Sequence, residues 1–410
     1  MKISLKNIVQ KIPRYSRDIF VIFYYKILSL FYKDKNKFKD AWLICERGIE
    51  AQDNGYHFFK YMRENHPEKK VYYLIDFAQK TDYEKVEKLG NVIQYNSFEH
   101  KMAVFFVTHF ISTHIGFITS WSFLLYKKLF LRKKQTKFVL LNHGITKEDM
   151  SEMLNKWKTG VDLFVAANQL DYNEISNFQK YGYKKEEILL TGYARYDNWY
   201  NFEIKRQIVF MPTWRNYLVN RNLYKKNTPE LKKYFTQSAY FRHIESFLNN
   251  EKLKNLLFEN NVELIFYPHY EVQKSIPYFK IENEKITIAS KQTHEIPTLL
   301  RESAAMITDY SGVGFDFAYM YKPLIYYQFD QAEYYSKHYV KGNYDMEKDG
   351  LGCVVTTEKE LIDAVENVVK NNFQTDKKYI ERINDFFTFH DNKNCERIYE
   401  AINFKNNHYA

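Results

Sequence analysis

Two histidines stand where a short apolar run stops. His143 follows the run 138–141, in Asn142-His143-Gly144-Ile145-Thr146-Lys147, and His269 follows 262–267, in Pro268-His269-Tyr270. A neutral imidazole in such a place can take a proton from a hydroxyl near pH 7, and glycine behind His143 permits a sharp turn and close substrate approach. His269 could hold a phosphate oxygen. A third run, 305–308, leads through Thr308-Asp309-Tyr310-Ser311-Gly312 into an apolar stretch at 315–321 that reads as a helix. Helix N-termini favour anions through free amides and the positive dipole end, and Ser311 could cap that helix and reach a phosphate. Arg215, in Pro212-Thr213-Trp214-Arg215, and Arg195, in Gly192-Tyr193-Ala194-Arg195-Tyr196-Asp197, could each fork onto a phosphate. Position alone leaves plainer readings open: a histidine closing a strand, an ordinary N-cap, an arginine in an ion pair.

Common alternatives are missing. The chain has no P-loop, no G-x-G-x-x-G, no HExxH and no G-x-S-x-G. A DxD triplet is also absent; Asp345-Met346-Glu347 echoes one weakly in a loop-like region. Cys45, Cys353 and Cys395 lie far apart with no metal-binding spacing. No metal and no cofactor are expected.

The elements that must carry these residues alternate. Strands are expected at 41–45, 71–75, 91–95, 110–113, 138–141 and 163–166, with helices at 56–65 and 82–89 between them. After a break at 193–206 the rhythm restarts with strands at 207–211, 262–267, 286–288, 305–308 and 324–327, and helices at 358–371 and 377–389 end the chain. Strands alternating with helices predict parallel sheets covered on both faces. The expected fold is α/β and GT-B-like: two doubly wound, Rossmann-like domains facing a cleft, preceded by an N-terminal amphipathic helix. The boundaries read 1–39 for the basic N-terminal segment, 40–200 for one α/β domain and 201–410 for a second. Ligands of such sheets sit beyond the carboxyl ends of strands, which is where the candidates fall.

A 410-residue chain with 45% hydrophobic residues can bury more than one core. The excess of Tyr and Phe, 36 and 33 residues, matches an AT-rich coding bias and carries no functional weight. The net charge of +10 is uneven. Residues 1–40 hold ten Lys or Arg against Asp18, Asp34 and Asp40, and 116–147 contain no acid at all. Two local basic patches point to an anionic partner. Nucleic acid is not expected, because its binders spread basic residues into one stripe and carry recognition motifs. The apolar run 19–32 is too short for a membrane span and lacks a signal-peptide cleavage site. An interfacial helix fits it, as does a helix packed on the domain. The segment 116–137 interleaves Trp121, Phe123, Leu124, Leu125, Leu129, Phe130 and Leu131 with Lys127, Lys128, Arg132, Lys133 and Lys134. It reads as a second contact with an anionic membrane surface, or as a buried hairpin.

Taken in order, Glu46-Arg47-Gly48 with Asp53-Asn54-Gly55, His143-Gly144, Gly192 to Asp197, Pro212 to Arg215, Pro268-His269, Thr308 to Ser311, Phe315 to Tyr319 and Lys322-Pro323 resemble the CDP-glycerol glycerophosphotransferase family, which makes teichoic acids and related capsular polymers. The resemblance implies transfer of an alditol phosphate from CDP-glycerol or CDP-ribitol to a lipid-linked polymer hydroxyl, with CMP released. It also implies peripheral attachment to the cytoplasmic side of the cell membrane and no metal in the pocket. His143 becomes the general base, and Asp309 is the second catalytic candidate. His269, Ser311, Gly312, Arg215, Thr308 and Arg195 fall to the donor. Three departures from the family pattern, His143-Gly144-Ile145-Thr146, Tyr193-Ala194-Arg195 and Ser311-Gly312, touch the acceptor and the alditol rather than the chemistry. A GT-B glycosyltransferase using a nucleotide sugar is the nearest alternative, and a non-catalytic membrane- or polyanion-binding module is a more distant one.

Overall fold

Buried strands on both faces of a sheet need continuous apolar runs, and the structure uses them that way. In this computed structural model the described residues are 5–131, 136–200, 202–219, 229–338, 341–342 and 344–407. They fall into two compact units: Met1–Thr146, Met150–Asn198 and Thr388–Ala410 form the first, and Lys147–Asp149 with Trp199–Phe387 form the second.

The first unit is built on seven parallel strands: β1 (Trp42–Cys45), β2 (Val71–Ile75), β3 (Val92–Gln94), β4 (His109–Ser112), β5 (Lys137–Leu140), β6 (Leu163–Ala166) and β7 (Ile188–Leu190), in the order β3-β2-β1-β4-β5-β6-β7. The second has six: β8 (Lys205–Phe210), β9 (Glu263–Phe266), β10 (Ile286–Ile288), β11 (Ser303–Thr308), β12 (Leu324–Tyr327) and β13 (Cys353–Val355), in the order β10-β9-β8-β11-β12-β13. Both are doubly wound, and strand order reverses at β1/β4 in one and β8/β11 in the other, the switch points where such sheets bind ligands. Sequence analysis misses β7 and β13, three-residue strands at sheet edges whose apolar runs are too short to stand out.

The domain boundaries need two corrections. Residues 1–39 belong to the first unit, and so does the chain from Thr388 onward, which does not stay with residues 201–387. The C-terminal helix Asn394–Asn407 is fixed there by non-local bonds. The Asp197 carboxylate accepts from Asn394 N, Asn394 Nδ2 and Cys395 N at 2.7–2.9 Å, and Arg397 Nε donates to Thr191 O. Tyr399 stacks on His66 with 3.8 Å between ring centroids. Gly192, at φ 79°, is the one residue type that fits beneath this helix, since a Cβ there would sit 2.0 Å from Asn394 Oδ1.

The N-terminal helix, Leu5–Leu30, places apolar side chains both inward and outward over its residues 15–30. Ile22 is buried, Tyr25 stacks on Trp121, and the Asp18 carboxylate accepts from Ser122 N at 3.0 Å. Phe20 (73% exposed), Ile27 (57%) and Phe31 (78%), this last just past the helix, face solvent. Within 116–137, Trp121, Phe123, Tyr126 and Leu131 are core residues, and Lys127 pairs with Asp162 at 2.6 Å. The membrane expectation for this segment is therefore reduced to Leu129, Lys128 and their surroundings; Arg132, Lys133 and Lys134 lie outside the described residues. No helix among the described residues is long and apolar enough to cross a membrane.

Candidate active site

In the first unit the chain leaves β5 through Asn142, which adopts φ 55°, a left-handed conformation that asparagine tolerates better than most residues. Its side chain fixes the turn: Oδ1 accepts from His143 N at 2.9 Å, and Nδ2 donates to Gly144 O and to Tyr193 OH. Asn54, fully buried, donates to Asn142 O at 2.7 Å and accepts from Arg195 N. The His143 side chain is thus presented to solvent from a rigid base, and a Cβ on Gly144 would meet no atom within 4 Å.

The floor beneath is ionic. Glu46 accepts from Gln52 N, Asp53 N and Tyr56 N at 2.8–3.1 Å, tying β1 to the start of the helix Asn54–Asn65. Burial and the Asp53 carboxylate push Glu46 well above the usual carboxylate range. Gly55 leaves room for Glu46, since a Cβ there would lie 2.8 Å from its Cγ. Arg195 bonds Asp53 at 2.9 Å and lies over the rings of Tyr193 and Tyr196. Burial raises Asp53, against the pull of Arg195. Arg195, which the resemblance assigns to the donor, is buried in the first unit with its guanidinium paired to Asp53.

Two residues join His143 that sequence reasoning left out of the site. The His114 ring stacks on His143 with centroids 4.5 Å apart and planes 15° from parallel, and Arg47 Nη2 lies 3.1 Å from His114 Nε2. The signal was present: His114 follows β4 as His143 follows β5.

In the second unit, Arg215 is the hub. Its Nε and Nη2 bond both Asp330 oxygens at 2.7 and 2.9 Å, Nη2 also bonds Asp309 Oδ2 at 2.9 Å, and Nη1 donates to Thr213 O at 2.6 Å. Rings of Tyr240, Tyr310, Phe329 and Tyr334 surround the guanidinium. Asp309 Oδ1 accepts from Thr213 N and Tyr310 N, so one carboxylate aligns the ends of β8 and β11. Thr308 Oγ1 donates to Met211 O. Arg215 and Asp309 are 0% and 1% exposed in their side chains, and Thr308 is also sealed. The sequence offers these three as site residues; in the structure their side chains are buried and bonded to one another and to the ends of β8 and β11.

Above this layer lie His269, Trp214, His338, Ser311 and Gly312. Trp214 stacks on His269 at 5.9 Å and meets His338 edge-on at 5.0 Å. His269 Nδ1 accepts from Glu271 N, and His338 Nδ1 accepts from Asn216 N. Burial, aided by the Arg215 charge, pushes His338 down to about 4. Ser311 is half-buried and Gly312 has open space where a Cβ would go; the helix that follows, Val313–Tyr319, has seven residues. Among the described residues no three His, Cys, Asp or Glu side chains are grouped as a metal site would require.

The fold is α/β, with two doubly wound parallel sheets and polar residues at their switch points. It is shared with the wall teichoic acid polymerase TagF, with a TM-score of 0.65 at 16% identity over 98% of this chain and 99% of that one. A UDP-GlcNAc 2-epimerase of Methanocaldococcus jannaschii shares it more loosely, with a TM-score of 0.51 at 13% identity over 89% and 99% of the two chains. Residues 25–404 match the family described as CDP-glycerol:poly(glycerophosphate) glycerophosphotransferase, and the chain belongs to that family. It is 36% identical to the minor teichoic acid biosynthesis protein GgaB of Bacillus subtilis (strain 168), over 89% of this chain and 40% of that protein. It is 23% identical to a teichoic acid glycerol-phosphate transferase of Staphylococcus aureus (strain NCTC 8325 / PS 47), over 71% of this chain and 72% of that one. The chain thus spans less than half the length of GgaB.

Proposed function

We propose that this protein transfers glycerol phosphate, or a related alditol phosphate, from a CDP-alditol to a hydroxyl of a teichoic acid or similar polymer. The observation that carries the reading is positional. In a chain of this family, His143 extends from the carboxyl end of β5 beside one switch point, and His269 and Ser311 stand beyond β9 and β11 around the other. The acceptor oxygen attacks the β-phosphorus, the bond from that phosphorus to the CMP oxygen breaks, and His143 takes the hydroxyl proton. His269 and Ser311 hold the pyrophosphate. Phosphoryl transfer asks mainly for alignment and charge stabilisation. Arg215, Asp309, Thr308 and Arg195 serve by fixing the loops that present these groups. A TagF variant has been solved after soaking with CDPG, which supports CDP-glycerol as the first donor to test.

The acceptor is lipid-linked, and the enzyme sits peripherally on the cytoplasmic face of the membrane. The support is the outward row of Phe20, Ile27 and Phe31, next to a basic N-terminal stretch. The test is nucleotide release, CMP or UDP, by purified protein given CDP-glycerol, CDP-ribitol or a UDP-sugar with acceptor. CMP from a CDP-alditol is expected, with His143→Ala slowed roughly 10²–10⁴-fold. Turnover of the UDP-sugar alone would replace this reading with a glycosyltransferase.

A further inference from the structure

We propose that Arg47 and His114 are positioning residues for His143, an inference that rests on His143 being the base. The three residues come from adjacent strands. In the order β1-β4-β5, Arg47 lies two residues beyond β1, His114 two beyond β4 and His143 three beyond β5. They therefore gather at the switch point of the first sheet.

The hydrogen bonds fix the state of His114. A guanidinium can only donate, so the contact from Arg47 Nη2 at 3.1 Å makes His114 Nε2 the acceptor. The single ring proton then sits on Nδ1, which faces Thr113 Oγ1 at 2.8 Å. His114 is held neutral and in one tautomer; burial, with His143 and Arg47 nearby, acts in the same direction. Its backbone is pinned as well, since Ser112 Oγ donates to His114 O at 2.7 Å and accepts from His114 N at 3.2 Å. Arg47 is anchored in turn by Glu50, at 3.1 Å from Nε.

The chain Glu50–Arg47–His114 thus ends in a flat, uncharged ring lying 15° from the plane of His143. A general base on a solvent-facing turn has rotamer freedom that costs alignment, and a displacement of about 1 Å can cost on the order of 10²-fold in rate. The platform removes that freedom. Because His114 spends its only basic nitrogen on Arg47, it does not compete for the substrate proton.

Four variants and ¹⁵N spectra test this. His114→Ala should fold normally and lose roughly 10- to 100-fold in kcat, with KM for the CDP-alditol unchanged. His114→Phe, which keeps a flat ring, should recover most of that loss. In ¹⁵N spectra of the wild type between pH 6 and 8, His114 should appear as the neutral Nδ1–H tautomer, and Arg47→Met should abolish that preference. Wild-type kcat in His114→Ala, equal losses in the Ala and Phe variants, or a charged or Nε2–H His114 would each overturn the positioning role. His143→Ala run alongside separates the two failures. If it retains full activity, the base assignment is what fails, while the spectrum still reports the Arg47–His114 bond.

Discussion

Replacing Arg215 with Met would leave two buried carboxylates without the guanidinium that joins them. Asp309 and Asp330 are 1% and 3% exposed in their side chains, and the guanidinium between them is 0% exposed. Four short bonds are lost, two to Asp330, one to Asp309 and one to Thr213 O, with a longer one to Trp214 O at 3.5 Å. At roughly 1.5–3 kcal/mol for each bond to a charged group, the gross loss is about 6–12 kcal/mol. Protonation of a carboxylate relieves part of it, and removing one partner of a buried pair costs about 3–5 kcal/mol net. The strain falls unevenly. Asp309 keeps Thr213 N and Tyr310 N, whereas Asp330 keeps Tyr310 OH at 3.4 Å. Adding Asp330→Asn to Arg215→Met should therefore restore part of the loss, about 1–2 kcal/mol. Urea unfolding followed by circular dichroism reads both values. An Arg215→Met protein within about 1 kcal/mol of wild type, yet unable to bind CDP-glycerol, would refute the structural role and return Arg215 to the donor site.

His269→Ala and Ser311→Ala should each weaken CDP-glycerol binding or slow turnover about 10-fold or more while leaving stability near wild type; titration calorimetry and CMP release together decide it. His100, buried with Nδ1 accepting from Asn96 N, is pushed down to about 4 by burial. The unfolded chain takes up that proton near pH 6.5 and the folded chain only near 4, so the stability that neutral His100 contributes is lost as pH falls through this window. The gap in unfolding free energy between wild type and His100→Gln should narrow by about 3 kcal/mol between pH 7 and 4, and a gap that does not change with pH would contradict the shift. Phe20, Ile27 and Phe31 replaced together by Asp should cut flotation with anionic liposomes at least 10-fold without lowering the unfolding midpoint, since each buried apolar side chain contributes about 1.5–3 kcal/mol. Flotation at the wild-type level would remove this face from membrane binding.

The sequence by itself determined the alternation of strands and helices, because runs such as 71–75, 163–166 and 324–327 are apolar on both faces and only a covered parallel strand tolerates that. It also determined that His143, His269 and Ser311 follow strands, since that is a matter of local order. Depth and partnership were settled elsewhere. Arg215 and Arg195 look alike in the sequence to arginines that grip a phosphate, and both turn out to be sealed against carboxylates, Asp330 lying 115 residues away and Asp53 142. Nothing local encodes such a pairing; it exists once two strand ends are brought side by side. The same holds for His114, whose ring meets His143 across 29 residues because β4 and β5 are neighbours in register. It holds for the helix Asn394–Asn407, which follows the second unit in the chain but is bonded to Asp197 in the first. Hydrophobic periodicity specifies which residues leave water, and only tertiary packing specifies which charges and rings they leave it with.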